Sequence, residues 1–324
     1  MIKLAVRYFA RIYREVSRLA PVAGRNRLCL LLDYLSAYVL HGAHIFQYTV
    51  GGFWRKSGAE RAKCLTWRRI TRMYQRYNDR SSARLFKNKP EFNRFFKEYV
   101  RRGWLCLRDA SFDEFKAFVL EHRSFIVKPV AGKEGIGIRR FTLQDADDGR
   151  LRALFDSLVA EDVIVEQFIE QHPDMNFGNA SVNTVRVLTV CRPDGEARVM
   201  KAFLRAGMGD SLVDNTAQGG FYYEVDVPTG VVVSQGISKD GTLCIVHPGS
   251  GRVMLGFEVP NWEQAVDSCL CAARRIPQVA MVGWDVAVTG DGIELVEGND
   301  GADYQGYEFI GSSGYYEKIK DFLK

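Results

Sequence analysis

The sequence has 324 residues, 47% of them hydrophobic, with 44 Lys and Arg, 39 Asp and Glu, and seven cysteines. That length suits two domains or one domain with an added region, and the apolar share supports a sizeable core. An odd cysteine count with no C-x-x-C pair points to reduced thiols in a cytosolic protein, and the longest apolar run, residues 28–40, is too short to span a membrane and carries Asp33.

The charge is unevenly spread. Residues 1–109 hold 24 basic and 7 acidic residues, and residues 110–324 hold 20 and 32. A basic first third calls for an anionic partner, whether nucleic acid, membrane surface or polyanionic substrate. The plainer alternative is a basic helix face docked on the acidic remainder.

Residues 1–21 lack the long apolar core and cleavage site of a signal peptide and read as a basic amphipathic helix. Residues 28–40 read as a buried or surface-docked helix. His41 and His44 lie three apart with no third ligand near them, a pair rather than a zinc site. Residues 57–77 predict one helix opened by a capping box, Ser57 and Glu60. Along it Arg68, Arg72, Arg76 and Arg80 recur every four residues as a basic stripe. Another helix follows with Pro90 in its first turn.

After Ser111 the texture changes. "SFIVKPV" (124–130) and "IRRFTL" (138–143) predict strands around the glycine-rich "AGKEGIG". Residues 144–159 predict a helix, and "DVIVEQFI" (162–169) a buried strand. "NTVRVLTVC" and "ARVMKAFLRAG" flank the turn "RPDG" as a hairpin, and "FYYEVDV" and "VVVSQGI" flank "PTG". Asn261 is placed to cap a helix that ends before Pro277, with Cys269 and Cys271 in its core face. A short helix near 314–323 ends the chain. Helices first and antiparallel hairpins after predict an α+β protein rather than a dinucleotide-binding fold.

The hairpin "GWDVAVTGDGIELVEGND" (283–300) carries the sharpest signal. A three-residue loop centred on Asp291 pairs 285 with 297, 287 with 295 and 289 with 293. Asn299 then shares a face with Glu297. Facing carboxylates destabilise a sheet unless something compensates. A divalent cation with oxygen ligands is one answer; a solvated acidic pair is the other.

Lys128, at a strand end, precedes Gly132, Gly135 and Gly137, a loop whose backbone N–H groups can approach phosphates. Glu166 ends an apolar strand of the kind that hydrogen-bonds an adenine edge through its backbone, and Asp174 or Glu170 could reach a ribose. Thr184 and Arg186 share a strand face, and Arg205, Asn215, Gly219 and Gly220 follow. A mid-strand arginine needs an anionic partner, either a substrate carboxylate or phosphate or an internal salt bridge.

Taken in order, a lysine with a glycine-rich loop, E-Q-F-I, N-T-V-R, R…D-N…G-G and D…E-x-N resemble the ATP-grasp superfamily over roughly residues 86–310. "SVNTVRVLTV", "LVDNTAQGG" and the helical lead-in resemble the sugar-transfer-associated ATP-grasp proteins, relatives of the α-L-glutamate ligases. The resemblance implies two α+β lobes with antiparallel sheets clasping ATP. The lobes would span about 86–165 and 166–324, after a basic helical region of residues 1–85. It also implies two Mg²⁺ ions, replaceable by Mn²⁺, on Asp285, Glu297 and Asn299. Lys89, Lys128, Gly132, Gly135, Gly137, Glu166, Gln167, Ile169 and Asp174 would serve the nucleotide, with Lys87 competing with Lys89. Arg186, Arg205 and Asn215 would be catalytic.

The implied activity is an ADP-forming carboxylate–amine ligase acting through an acyl phosphate, joining an amino acid to a glycan or its precursor in exopolysaccharide assembly. An anionic glycan, or a lipid-linked sugar at the inner membrane face, would meet the basic region. Alternatives are a kinase of a sugar or small molecule, or a tRNA-associated protein. No nucleic-acid-binding module is recognisable, which weighs against the last. Only about 85 helical residues stand where many such ligases carry an α/β domain.

Overall fold

The hairpin-rich second part of the sequence folds as its turns dictate. Among the described residues of the computed structural model, every strand pair is antiparallel. The structure describes residues 2–132, 135–143, 147–214, 218–302 and 314–324. Contacts divide the chain into two units, Met1–Tyr77 with Gly301–Lys324, and Asn78–Asp300.

In the first unit, α1 (Ile2–Ala23) turns Ile12, Val16, Leu19 and Ala20 inward and leaves Arg7, Arg11, Arg14 and Arg18 exposed. That is the three-to-four residue spacing of an amphipathic helix. α2 (Arg27–Ser36) is capped by Asn26 and runs on as a π-helical turn over Ala37–His41. α3 (Ile45–Thr49) starts at His44, whose ring accepts from Phe46 N. No described helix is long and apolar enough to cross a membrane.

Ser57 and Glu60 form the expected capping box, but the helix they open is short. α4 (Gly58–Lys63) stops, and α5 (Trp67–Tyr77) begins afresh. Buried Gln47 explains the break. Its side chain donates to Leu65 O and accepts from Trp67 N, holding the backbone out of helical pairing. Arg80 lies beyond α5, so the helical stripe is Arg68, Arg72 and Arg76. The terminal helix, Tyr315–Phe322, was expected in the second lobe. It instead belongs to this unit, burying Tyr315, Ile319 and Phe322 and placing Tyr316 under Arg69 at 4.6 Å.

In the second unit, α6 (Lys89–Phe95) starts with Pro90 in its first turn. β1 (Trp104–Cys106), β2 (Ser124–Pro129), β3 (Arg139–Thr142) and β4 (Val163–Gln167) make a four-stranded sheet, order β1-β4-β2-β3. α7 (Phe112–His122) and α8 (Asp148–Val159) cover it through Phe115, Phe118, Leu151 and Phe155. Residues 144–146 of the predicted helix lie outside the described residues.

β5 (Thr184–Cys191), β6 (Ala197–Ala206), β7 (Phe221–Val225), β8 (Gly236–Ile237), β9 (Leu243–Cys244), β10 (Met281–Thr289) and β11 (Gly292–Asn299) form a seven-stranded sheet. Its order is β11-β10-β5-β6-β7-β8-β9. Alternation gives it two faces of different character. Val185, Val187, Ala202, Leu204, Trp284 and Val286 join the core with α9 (Trp262–Arg274). Thr184, Arg186, Arg205 and Asp285 occupy the other face. On α9, Cys269 is buried as expected but Cys271 is exposed.

The tip of the last hairpin differs from the expected register. Thr289 pairs with Gly292 and Ala287 with Glu294, so the loop is two residues, not three. Asp285 nevertheless pairs with Glu297, because the register shifts between Asp285 and Val286. Val296 is the extra residue of a β-bulge. The bulge moves Glu297 and Asn299 off the face that Ile293 and Leu295 bury. Asn261 precedes α9 at φ 52° without capping it; its amide donates to Thr289 O and Gly292 O and pins the hairpin tip.

One acid anchors the helical unit. Arg61 donates two 2.8 Å hydrogen bonds to Asp33, and Tyr48 Oη donates a third at 2.7 Å. Burial works to raise the Asp33 pKa, and the Arg61 and Tyr48 bonds overcome it, so the net shift is downward from 3.8. A depressed carboxylate pKa stabilises the fold above the unfolded value and ceases to do so as pH falls through the folded value. Asp33→Asn should therefore destabilise the protein by about 1–3 kcal/mol near neutrality. In urea unfolding across pH, its deficit relative to wild type should shrink below the ordinary aspartate pKa.

Candidate active site

Two chains of ion pairs meet on the polar face of the large sheet. The first runs between the sheets. Arg102, 3% exposed, donates to Glu166 of β4 at 2.9 Å and to Glu294 of β11 at 2.7 Å. Glu166, 2% exposed, also accepts from Lys128 Nζ at 2.6 Å and Asn93 Nδ2 at 3.1 Å. Lys128 and Glu166 are diagonal neighbours, since Ile126 pairs with Glu166 and Lys128 lies two residues on. Burial would raise the Glu166 pKa. Arg102 and Lys128 outweigh it and hold the carboxyl well below its usual range.

The second chain crosses four strands. Asp285 has Glu297 across one edge and Arg186 across the other, and Thr184 opposes Arg205. Arg186 donates to both Asp285 oxygens through Nε and Nη2. Arg205 reaches Asp285 at 2.8 Å and also donates to Asp214, which accepts from Thr184 N and Oγ1 as well. The charge that offsets the facing acids is thus cationic side chains of the adjoining strands. Burial pushes the Asp285 pKa up, and Arg186 and Arg205 bring it well below the carboxylate range. Glu297 moves the other way, raised by the protein packed around it and then by Asp285. Its surface area still classes it as exposed, so we read it as a carboxyl at the rim with one open side.

Lys89 lies between the two chains. Its ammonium donates to Pro129 O at 2.9 Å. Burial lowers its pKa, Glu297 and Glu166 raise it, and Lys128 lowers it, so it feels both carboxylate groups. Lys87 is exposed and turned to Asp300 at 3.6 Å. Buried Arg205 Nε has no hydrogen-bond partner among the described residues. A buried guanidinium edge left open suits an anionic oxygen.

A family model described as sugar-transfer associated ATP-grasp matches residues 68–323. The chain belongs to that family. It has the family's ATP-grasp fold, two antiparallel sheets with flanking helices, behind a helical N-terminal region. No curated protein matches the sequence. Solved structures with similarity include the ATP-grasp ligase PsnB with minimal precursor, Mg and ADP, at 16% identity and a TM-score of 0.46; the match covers 76% of this chain and 60% of that one. An ADP complex of N5-carboxyaminoimidazole ribonucleotide synthetase gives 10% identity and a TM-score of 0.47, covering 74% and 51%. The biotin carboxylase domain of Hydrogenobacter thermophilus 2-oxoglutarate carboxylase gives 13% and 0.46, covering 73% and 45%. The chain thus spans about half to three fifths of these proteins.

In this ATP-grasp chain the remaining sequence-predicted residues are dispersed. Gln167 turns its side chain to Gly103 N at 3.1 Å, and Ile169 is half-buried. Asp174 is exposed near the hairpin tip, where His172 N donates to Val288 O. The tip lies roughly 13 Å along the strand from Asp285 at the usual rise per residue. Gly132 is exposed; residues 133 and 134 of its loop, and Asn215, lie outside the described residues. Gly135 has φ +74°, and a Cβ there would meet Val213 Cγ1 at 2.5 Å, so only glycine fits that approach.

Glu297 and Asn299 present hard oxygens at the rim, with Asn299 Nδ2 donating to Glu297 Oε1 at 3.2 Å. Two carboxylates and an amide fit Mg²⁺, which takes one or two carboxylates and completes its shell with water and phosphate. Among the described residues no group of three His, Cys, Asp or Glu could hold a metal, so the fit rests on Asn299 as the third donor.

Arg102, Glu294, Asp214 and Asn93 were missed from sequence. Glu294 and Asp214 sat inside motifs already singled out. Nothing in "VRRGW" separates Arg102 from the surface arginine before it. Replacing Arg102 by Met strands two buried carboxylates and should cost about 3–5 kcal/mol in urea unfolding.

Proposed function

We propose that this protein is an ATP-dependent ligase that joins a carboxylate to an amine and releases ADP and phosphate. The observation that carries the reading is that Lys89 of α6, beside Lys128 of the small sheet, also faces Glu297 of the large sheet, whose polar face carries the Asp285–Glu297 pair and two guanidiniums. Phosphoryl transfer depends on such fixed positive charge more than on covalent help from the protein.

Lys89, Lys128 and the glycine turn at residues 132–137 bind the phosphates. The backbone of residues 166–169 offers the adenine edge; the Glu166 carboxylate is already engaged by Arg102, Lys128 and Asn93. Asp174 is the proposed ribose contact. Magnesium held by Asp285, Glu297 and Asn299, or manganese in its place, supplies charge to the phosphate oxygens.

A substrate carboxylate oxygen attacks the γ-phosphorus, the bond to the ADP oxygen breaks, and an acyl phosphate forms. The amine nitrogen then attacks the acyl carbon, the carbon–oxygen bond to phosphate breaks, and the nitrogen's proton passes to solvent. Arg205, through its open Nε, and Arg186 steady the charge on the transferring group; Asn215 is proposed for the same task from the sequence motif alone. The family's association with sugar transfer supports an amino acid and a glycan or glycan precursor as the two substrates. Exposed Val6, Phe9 and Tyr13 on the arginine-rich α1 support a peripheral place at a membrane surface.

Incubation with ATP, Mg²⁺ and mixtures of amino acids and uronic acids should yield ADP and free phosphate. Glu297→Gln should abolish this turnover and leave the circular dichroism spectrum unchanged. AMP with pyrophosphate, or phosphate retained on the product, would overturn the ligase mechanism.

A further inference from the structure

The helical unit holds a second concentration of positive charge, separate in sequence from the residues above. α5 places Arg68, Arg72 and Arg76 at successive four-residue intervals, on one helix face. With Arg69, and with Lys320 and Lys324 of the C-terminal segment, they line a recess of about 480 Å³. That is the size of an ordinary small-molecule site. Among the described lining residues there is no acidic side chain.

The cations fall into two groups. Arg68 donates to Tyr38 O at 2.7 Å and Val39 O at 3.0 Å, and Arg69 to Cys64 O and Arg61 O; both hold backbone in place. Lys324 pairs with Asp321 at 2.6 Å. Arg72 and Arg76 have no carboxylate partner among the described residues, and Lys320 acts on Asp321 only from beyond ion-pair distance. Arg76 lies over Tyr77, and Lys320 over Tyr316, at 5.4 and 5.9 Å. Like charges four residues apart weaken a helix, and this recess adds cations from another helix to them.

A multiply charged anion resolves that repulsion. Guanidiniums grip phosphate oxygens two at a time, and a lysine adds a point charge. We propose that the recess binds a phosphoryl group of two or more negative charges, a phosphate monoester or diphosphate. Its carrier is either a soluble molecule or a lipid whose headgroup presents that group. The exposed Leu40 at the rim, next to exposed Val39, is compatible with either carrier.

The test uses the full chain with saturating Mg²⁺ and ADP, so that pyrophosphate is kept from the nucleotide site. Pyrophosphate is titrated calorimetrically, and co-sedimentation is measured with phosphatidic acid and with phosphatidylcholine vesicles. Arg72→Gln/Arg76→Gln should weaken binding about tenfold or more. Lys320→Gln, on the other helix, should weaken it less. Arg7→Gln/Arg11→Gln, which removes the same charge from α1, should leave pyrophosphate binding unchanged. Binding of pyrophosphate identifies a soluble carrier, and binding of phosphatidic acid vesicles alone, lost in Arg72→Gln/Arg76→Gln, identifies a lipid. No binding of either probe, equal weakening of pyrophosphate binding by the α1 variant, or tighter binding of a short RNA duplex lost in the same variants would overturn the proposal.

Discussion

Arg102 sits where two sheets would otherwise bring two buried carboxylates together. Glu166 belongs to the small sheet and Glu294 to the large one, and each is at most 5% exposed. Neither acid is tolerable there without a cation, and a buried arginine with a single partner would be little better. The three groups are therefore acceptable only as a set, which fixes β4 against β11. Lys128 completes the coordination of Glu166, so the geometry of the lysine is inherited from the clamp between the sheets. The position of Lys128 and the stability of the unit are consequences of the same contact.

The large sheet separates its tasks by face. On one side Val185, Ala202, Leu204 and Trp284 pack under α9 and make the strands rigid. On the other, Asp285 faces Glu297 and is held by Arg186 and Arg205 from the adjoining strands, and Arg205 also grips Asp214 in the connection after β6. Asp285 has two guanidiniums as partners, whereas Glu297 meets packed protein on one side and the Asp285 carboxylate, and that is why two carboxyls side by side move in opposite directions, Asp285 down and Glu297 up. A site built this way has its charges oriented before any ligand arrives, which is the condition for electrostatic catalysis.

Much of this was legible in the sequence because it is local. Strand alternation gave the hairpins, and the pairing of Asp285 with Glu297 was expected and found. It was found for a partly different reason: the loop was taken as one residue too long, and the bulge at Val296 restored the count. The capping box at Ser57 and Glu60 was readable; the break at Leu65 was not, because it depends on Gln47, eighteen residues away. Arg186 and Arg205 announced themselves as costly to bury, and the salt-bridge alternative describes their observed partners. Arg102 was invisible, since nothing near it in sequence reveals that two acids, one 64 and the other 192 residues on, converge there.

The bulge at Val296 makes the hairpin a counting device with a single correct parity. From the tip, the residue that should face Asp285 is Val296; one inserted position hands that place to Glu297 and leaves Leu295, on the tip side of the bulge, in the core. Any change of one residue in the tip or strand would exchange an acid for an aliphatic side chain on both faces at once, whereas a change of two would leave the pattern intact. The tip is also the part that Asn261 and Arg101 secure from outside. Length variation in this hairpin should therefore come in even steps, and a graft of it onto another scaffold must carry its bulge along with its acids.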